Sequence, residues 1–175
     1  MERIFPLIDY GHLDYGENKV QEALDKWSDI KSKKPDIKLH LVGKLQNNKV
    51  KFAVKIFDFI HSVDTKKLAK KIADEELKLK KKIKIFIQVN IGNENQKSGV
   101  NKEELEELFL YCKSLNLDVI GLMCLPPANH DPDPFFRELN TLNKKLNLTE
   151  LSMGMSSDYV KAIEHSSTYL RIGSE

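Results

Sequence analysis

The sequence predicts an α/β protein built as a parallel barrel of the (β/α)8 TIM type. Three observations point there. Short apolar segments rich in β-branched residues alternate along the chain with stretches of helical, roughly 3.6-residue periodicity. Each intervening stretch is long enough for a right-handed crossover between parallel neighbours. Polar residues able to serve a site follow nearly every strand, as the upper face of a barrel requires. An open doubly wound sheet is the competing architecture, but no GxGxxG follows the first strand and no GxxxxGK[ST] occurs. The pattern yields seven strands in 175 residues, against the eight strands and about 250 residues of a typical complete barrel. The first strand of the eight has no counterpart here.

Arg3 to Gly11 reads as the end of a helix, with Leu7 and Ile8 apolar and Gly11 able to cap it. Leu13-Asp14-Tyr15 is a short strand leading into Gly16-Glu17-Asn18. From Lys19 to about Ile30, Val20, Ala23, Leu24 and Trp27 share one helical face. Ile37 to Val42 forms the next strand, and a helix from Asn48 to Phe57 carries Val50, Ala53, Val54 and Phe57. Phe59 to Val63 is a strand, followed by a helix capped by Asp64 or Thr65. Ile83 to Val89 is the plainest strand, being rich in β-branched residues. Asn101 opens a helix with an apolar stripe of Leu105, Leu108, Phe109 and Cys112. Val119 to Leu125 is stopped by Pro126-Pro127, and the helix from Pro134 to Leu146 turns Phe135, Leu139 and Leu142 to one side.

The last unit, residues 148–175, carries the chemistry. Leu148 to Ser152 reads as a strand, Gly154 as a turn, and Ser156, Ser157 and Asp158 as helix N-cap types. The helix is expected to bury Tyr159, Val160 and Ile163, with Ala162 beside them, and Tyr169 to Ile172 begins the final strand before Gly173-Ser174. A serine-rich helix N-terminus with free backbone N–H groups suits a phosphate, and in α/β barrels the loops after the last two strands are the usual phosphate cradle. N-cap and turn chemistry would account for either turn taken alone.

Composition narrows the partners. A 41% hydrophobic, 31% charged chain is one soluble globular domain, and its formal net charge of +2 falls short of the basic footprint of a nucleic-acid binder. No run approaches the roughly 20 apolar residues of a membrane helix, which gives a cytoplasmic expectation without a membrane partner. The run Lys78 to Lys82 reads as a solvated helix end. Cys112 and Cys124 read as buried thiols, and His61, His130 and His165 fall on separate units, so no metal site is expected. Among 28 Lys and Arg residues only Arg3, Arg137 and Arg171 are arginine. Arg171 therefore stands out, a guanidinium at a strand end in a lysine-using chain.

The segments YGENKVQEALDKW, LHLVGKLQNNKVK, FIHSVD, QVNIGNENQKSGV, GLMCLPP, LSMGMSSDYVKAI and YLRIGSE follow one another along almost the whole chain. Together they resemble the successive motifs of the pyridoxal phosphate homeostasis protein family, whose barrels are similar to the alanine racemase N-terminal domain. The resemblance implies pyridoxal 5'-phosphate as the bound cofactor, its buffering or delivery as the function, and no established catalytic turnover. It also implies the site. Ser156, Gly173 and Ser174 match the phosphate-binding positions, and Arg171 matches the arginine facing the pyridine nitrogen. Asn18, His40 and Met123 match positions lining the cofactor. Apart from the resemblance, an Asn cap, an interior histidine and a packed methionine would account for these three. A guanidinium opposite the ring nitrogen keeps that nitrogen unprotonated and weakens the cofactor as an electron sink.

The match has two departures. The family's Schiff-base lysine lies on a first strand resembling AVSKT, and no such stretch precedes Arg3-Ile4-Phe5-Pro6. The final motif, normally followed by a phenylalanine-glycine segment, is cut at Glu175. These features set the expectation of one incomplete barrel domain, residues 1–175, short at both ends. Lys44, Lys49 and Lys97 lie in loops near the upper face, and nothing in their spacing promotes one to covalent duty, since a reactive lysine needs burial or a cationic neighbour. The alternatives are a truncated member with weak or no cofactor binding, or a racemase-like enzyme needing a second acid–base group from another domain. An exposed sheet edge is a pairing hazard, so a monomer or a weak homodimer is expected.

Overall fold

The computed structural model describes residues 4–94 and 98–173. Its seven strands lie in chain order in one parallel sheet: β1 (Asp14–Glu17), β2 (Lys38–Leu41), β3 (Phe59–Val63), β4 (Lys84–Gln88), β5 (Asp118–Met123), β6 (Glu150–Met155) and β7 (Tyr169–Arg171). Helix α1 (Phe5–Asp9) precedes them. Helices α2 (Val20–Lys33), α3 (Val50–Ile56), α4 (Lys66–Leu79), α5 (Leu105–Ser114), α6 (Asp133–Lys145) and α7 (Tyr159–Glu164) form the crossovers. The sheet curls far enough for Tyr169 on β7 to place its ring 5.7 Å from His40 on β2 and 5.2 Å from Phe86 on β4. The fold is thus a seven-stranded near-barrel. Among the described residues β1 pairs only with β2, and β7 only with β6.

Two apolar layers hold it. Outside the sheet, Trp27, Ile60, Ile85, Phe136 and Leu139 belong to the continuous core between strands and helices. Inside, Phe59, Phe86 and Met123 form a separate cluster, with Ile120 and Tyr169 against it. A parallel sheet covered on both faces needs strands that are apolar throughout, and β3 is buried at all five positions.

Three buried polar groups lock strands to helices. Glu17 on β1 accepts from Trp27 Nε1 at 2.7 Å and Lys26 Nζ at 2.6 Å. Glu76 on α4, 3% exposed, accepts from the Ile83 backbone N–H at 2.8 Å and Lys82 Nζ at 2.7 Å. Asn143 on α6 accepts from the Leu122 N–H at 3.1 Å and donates to the Leu148 carbonyl at 2.9 Å. Each satisfies a donor that burial would otherwise leave unpaired: the Trp27 indole on α2, the Ile83 N–H before β4 and the Leu122 N–H in β5.

Several expected details differ. In α7 only Ala162 is buried, while Val160 and Ile163 are more than half exposed. The helix is six residues long, too short to turn a whole apolar stripe inward. On α6 the core-facing aromatic is Phe136, with Phe135 half-buried. The expected cap Thr65 is present, its side chain accepting from the Leu68 N–H. The lysine run is more than a solvated face. Lys80 adopts left-handed backbone at φ 49° to end α4, Lys81 donates to the Phe57 carbonyl at 2.6 Å, and Lys82 reaches the Asn116 carbonyl.

Candidate functional site

The carboxyl ends of the strands surround a cavity of about 960 Å³. Side-chain alternation along each strand sends one set of residues inward. Asp14, Gly16 and Asn18 come from the β1 segment, His40 from β2, His61 from β3, Gln88 from β4 and Tyr169, Arg171 and Gly173 from the β7 segment; all line the cavity. Gly43, after β2, is needed by close approach: a Cβ there would stand 2.1 Å from the Asn18 carbonyl oxygen. That contact clamps the β1 and β2 loops together at the rim.

One wall of the cavity carries a buried guanidinium. Arg171 donates through one guanidinium nitrogen to Ser152 Oγ at 2.8 Å and through the other to the Cys124 carbonyl at 2.9 Å. Both partners are neutral, and no carboxylate forms an ion pair with Arg171 among the described residues. Burial pushes the guanidinium below its ordinary value, with Cys124 and Asp158 opposing. A few residues away, Ser156 Oγ is buried and has no hydrogen-bond partner among the described residues. Such orphaned groups are rare in folded proteins and call for a missing partner. The turn expected at Gly154 falls later, at residues 156–158: Gly154 lies inside β6 with φ +95°, beside a shift in register with β7, and a Cβ there would meet that of Ala162 at 2.6 Å. Gly173 lies on the cavity wall with nothing within 4 Å of where its Cβ would be. A phosphate, with its several acceptor oxygens, fits a free hydroxyl donor beside open room, and Arg171 adds positive charge on the cavity wall. With α7 only six residues long, the serine and arginine carry this reading, and the helix dipole contributes little.

The floor of the cavity holds a hydrogen-bonded chain that crosses the barrel. Asp14 Oδ1 lies 3.0 Å from His40 Nε2, His40 Nδ1 lies 3.1 Å from His61 Nε2, and His61 Nδ1 lies 2.8 Å from Ser152 Oγ. Ser152 then meets Arg171. Both imidazoles are stacked, His40 on Phe59 at 4.1 Å between ring centres and His61 on Phe86 at 4.3 Å. Burial lowers His40 despite the opposing Asp14 carboxylate, and burial, with His40 and Arg171 adding to it, pushes His61 well below its ordinary value. The order serine–histidine–histidine–aspartate suggests an activated nucleophile. Ser152 is 0% exposed and its Oγ takes a bond from Arg171, so no substrate reaches it.

Of the residues singled out from the sequence, Asn18, His40, Arg171 and Gly173 meet at this cavity. Ser156 adjoins it through Met155, which lines the wall. Met123 is fully buried against Phe59 and Phe86 in the interior cluster; it supports the floor and does not face the cavity. Ser174 and Lys97 lie outside the described residues. Lys44 is exposed on the cavity rim, and Lys49 lies over the Phe52 ring. Sequence reasoning missed Asp14, His61, Ser152 and Tyr169. His61 falls on a different unit from His130 and His165, and 21 residues separate it from His40, yet parallel pairing aligns His40 with Phe59, two residues before His61. A strand buried on both faces, as β3 is with one polar residue on each, shows no alternation to reveal its inward side. His130 sits in an exposed loop, where its Nδ1 donates locally to the Ala128 carbonyl at 3.0 Å. Among the described residues no three His, Cys, Asp or Glu side chains are placed to hold a metal ion. Cys112 and Cys124 are buried free thiols, each pushed up to about 12 by burial.

Comparison with known proteins gives this cavity a context. The sequence model of the alanine racemase N-terminal domain family matches residues 1–174. A pyridoxal phosphate homeostasis protein of Aquifex aeolicus is 43% identical over 169 residues, covering 91% of this chain and 73% of that protein. The structure of PipY from Synechococcus elongatus without PLP superimposes with a TM-score of 0.92 at 34% identity, covering 97% of this chain and 84% of that one. The same protein with PLP bound gives 0.90 at 33% identity, over 98% and 84% of the two chains. Alanine racemase of Clostridium difficile shares the fold, with a TM-score of 0.76 at 12% identity, covering 99% of this chain and 46% of that one. The chain belongs to the pyridoxal phosphate homeostasis protein family, built on the alanine racemase N-terminal barrel.

Proposed function

We propose that the cavity binds pyridoxal 5'-phosphate and that the protein buffers or hands on this cofactor without turnover of its own. Two observations carry the reading: Arg171 on the cavity wall is a buried guanidinium with neutral partners, and Ser156, next in sequence to Met155 of that wall, has an orphaned hydroxyl. The names of the relatives, and PipY crystallised with PLP, support the choice of ligand. When bound, the cofactor supplies a carbonyl that combines with amines and a ring that withdraws electrons.

The chain's own residues divide the work. Ser156 donates to a phosphate oxygen, and the backbone at Gly173 leaves the room that the group needs. Arg171 presents its charge toward the ring nitrogen, and Asn18 and His40 close the opposite wall. Met123 holds Phe59 and Phe86 in place beneath His40 and His61. Ser174 remains assigned by the resemblance. A guanidinium at the ring nitrogen cannot give up a proton readily, which disfavours deep electron withdrawal and suits storage over catalysis. No helix of the described residues is long and apolar enough to cross a membrane. We place the protein in the cytoplasm, as a single barrel domain that is monomeric or weakly dimeric.

An absorbance titration with pyridoxal phosphate tests this, followed by borohydride reduction and intact mass. Saturable binding that inorganic phosphate competes away is expected. A reduced adduct on one lysine would add a covalent anchor from this chain, with Lys44 on the rim as the residue to map first. Absence of saturable binding would overturn the proposal.

A further inference from the structure

We propose that Asp14, His40, His61 and Ser152 form a positioning relay for Arg171, one that runs in a single direction while both imidazoles are neutral and loosens the grip on the ligand when the pair takes up a proton. The proposal rests on the reading of the cavity as a pyridoxal phosphate site and adds to it a set of residues and a linkage to pH.

Proton counting gives the direction. A guanidinium only donates, so Arg171 at one end uses a lone pair of Ser152 Oγ at 2.8 Å. A carboxylate only accepts, so Asp14 at the other end takes the proton of His40 Nε2 at 3.0 Å. Neutral His40 then has a bare Nδ1, which must accept from His61 Nε2 at 3.1 Å. Neutral His61 then has a bare Nδ1, and the hydroxyl proton of Ser152 goes there across 2.8 Å. Every link holds one proton, and no alternative arrangement of the neutral chain satisfies all four. With its hydroxyl proton committed to His61, Ser152 turns a lone pair to Arg171 and fixes the guanidinium against the cavity wall.

A proton added to the pair undoes this. On His40 it occupies Nδ1, which leaves His61 Nε2 as acceptor and moves the remaining His61 proton to Nδ1, facing Ser152. On His61 it also places an N–H toward Ser152, with a cation next to Arg171. Either way Ser152 receives two donors, and its own proton loses the only acceptor it has among the described residues. The surrounding groups divide: those around His61 oppose the added proton, whereas the carboxylates near His40 favour it and burial outweighs them. His61 faces Arg171 and His40, between the apolar ring of Phe86 and the edge of Tyr169. His40 has Asp14 on β1 and, farther away, Asp58 and Lys38. Lys84 on β4 is spent over the Phe59 ring, Glu150 on β6 acts mainly on Tyr169, and Cys124 after β5 is a neutral thiol. His12, on the cavity rim, packs against Tyr15. Burial lowers both histidines, consistent with a neutral pair.

Two measurements decide the matter. Long-range proton–nitrogen NMR of the imidazoles reads tautomer and charge in the ligand-free protein. Both His40 and His61 are expected as neutral Nε2–H forms above pH 6.5, the ordinary imidazole value. A charged ring or an Nδ1–H form for either would overturn the relay. The second measurement is the pyridoxal phosphate Kd from that pH downward, through the acid range in which the NMR shows the pair taking up its proton, in the wild type and in His61→Phe, whose ring keeps the stack on Phe86 without the hydrogen bonds. His40→Phe, stacked on Phe59, serves if His61→Phe does not fold. The ligand's own phosphate, titrating near pH 6 (about the second ionisation of a phosphate monoester), weakens both proteins alike. The wild type is expected to lose up to about tenfold more affinity per pH unit below the relay's titration, the slope of one linked proton. Parallel profiles would overturn the pH linkage. Failure of the wild type to bind at any pH would overturn the ligand reading, which the NMR result does not depend on.

Discussion

Arg171→Ala is the most informative single change at the site. The side chain spans from Ser152 Oγ at 2.8 Å to the Cys124 carbonyl at 2.9 Å and brings a positive charge to the cavity wall. Removing it takes away a charge-assisted contact to the ligand, worth about 1.5 to 3 kcal/mol. That corresponds to a rise in Kd of roughly 10- to 150-fold. Arg171→Lys is expected to fall between alanine and the wild type, because an ammonium restores charge but not the planar fork that serves both acceptors at once. The assay is a pyridoxal phosphate titration by absorbance, with circular dichroism confirming that each variant is folded. Lys78→Ala is the control: its ammonium is exposed and paired only with Glu75, and an exposed pair is worth about 1 kcal/mol or less. Lys81 serves poorly as a control, since it is bonded to the Phe57 carbonyl and its loss would disturb the fold. A folded Arg171→Ala that binds as tightly as the wild type would refute the assignment. So would an equal loss in Lys78→Ala, which would make binding a matter of general charge.

Three further outcomes are expected. Ser156→Ala should weaken binding of pyridoxal phosphate by about tenfold while leaving the melting temperature unchanged, because its Oγ bonds no other described residue; a lower melting temperature with unchanged affinity would show a structural serine. Glu76→Ala should cost about 1 to 3 kcal/mol in urea denaturation, the range for a buried donor left without its acceptor, since it strips the Ile83 N–H of its partner while the exposed Lys82 keeps the Asn116 carbonyl, whereas Glu76→Gln should lose less. Stability should fall with acidification: His40 and His61 are held below 6.5 in the fold, so below that pH the unfolded chain binds more protons and the native state is disfavoured. A urea midpoint that stays level or rises on acidification through pH 6.5, in wild type relative to His61→Phe, would contradict that sign.

The site was half legible from the chain alone. Arg171 stood out because the composition made arginine rare, and the Ser156 turn stood out because serines cluster after an apolar strand. His40 was reached only through the family resemblance, and Met123, reached the same way, proved to be a floor residue in contact with Phe59 and Phe86. His61 and Ser152 were invisible as partners: they are 91 residues apart, and their meeting depends on how far the sheet curls. Asp14, counted as part of a short strand, acquires its role only because β1 and β2 pair with Asp14 opposite Lys38, which brings its carboxylate to His40 Nε2.

What the sequence determined by itself was the alternation of strands and helices and the parallel class, because hydrophobic period and turn residues act within a few positions of the chain. It also determined which loops carry the polar residues. Only the tertiary structure decided which face of each strand looks inward. β3 is buried at every position, so its pattern carries no side preference, and register with its neighbours supplies the choice. The same holds for α7, whose apolar residues were read as a buried stripe but lie largely exposed; six residues offer one turn to the sheet, and Ala162 fills it. The relay across the cavity is the product of that closure, since a histidine's partner, and with it its tautomer and charge, is set by what the curled sheet brings within about 3 Å of each ring nitrogen.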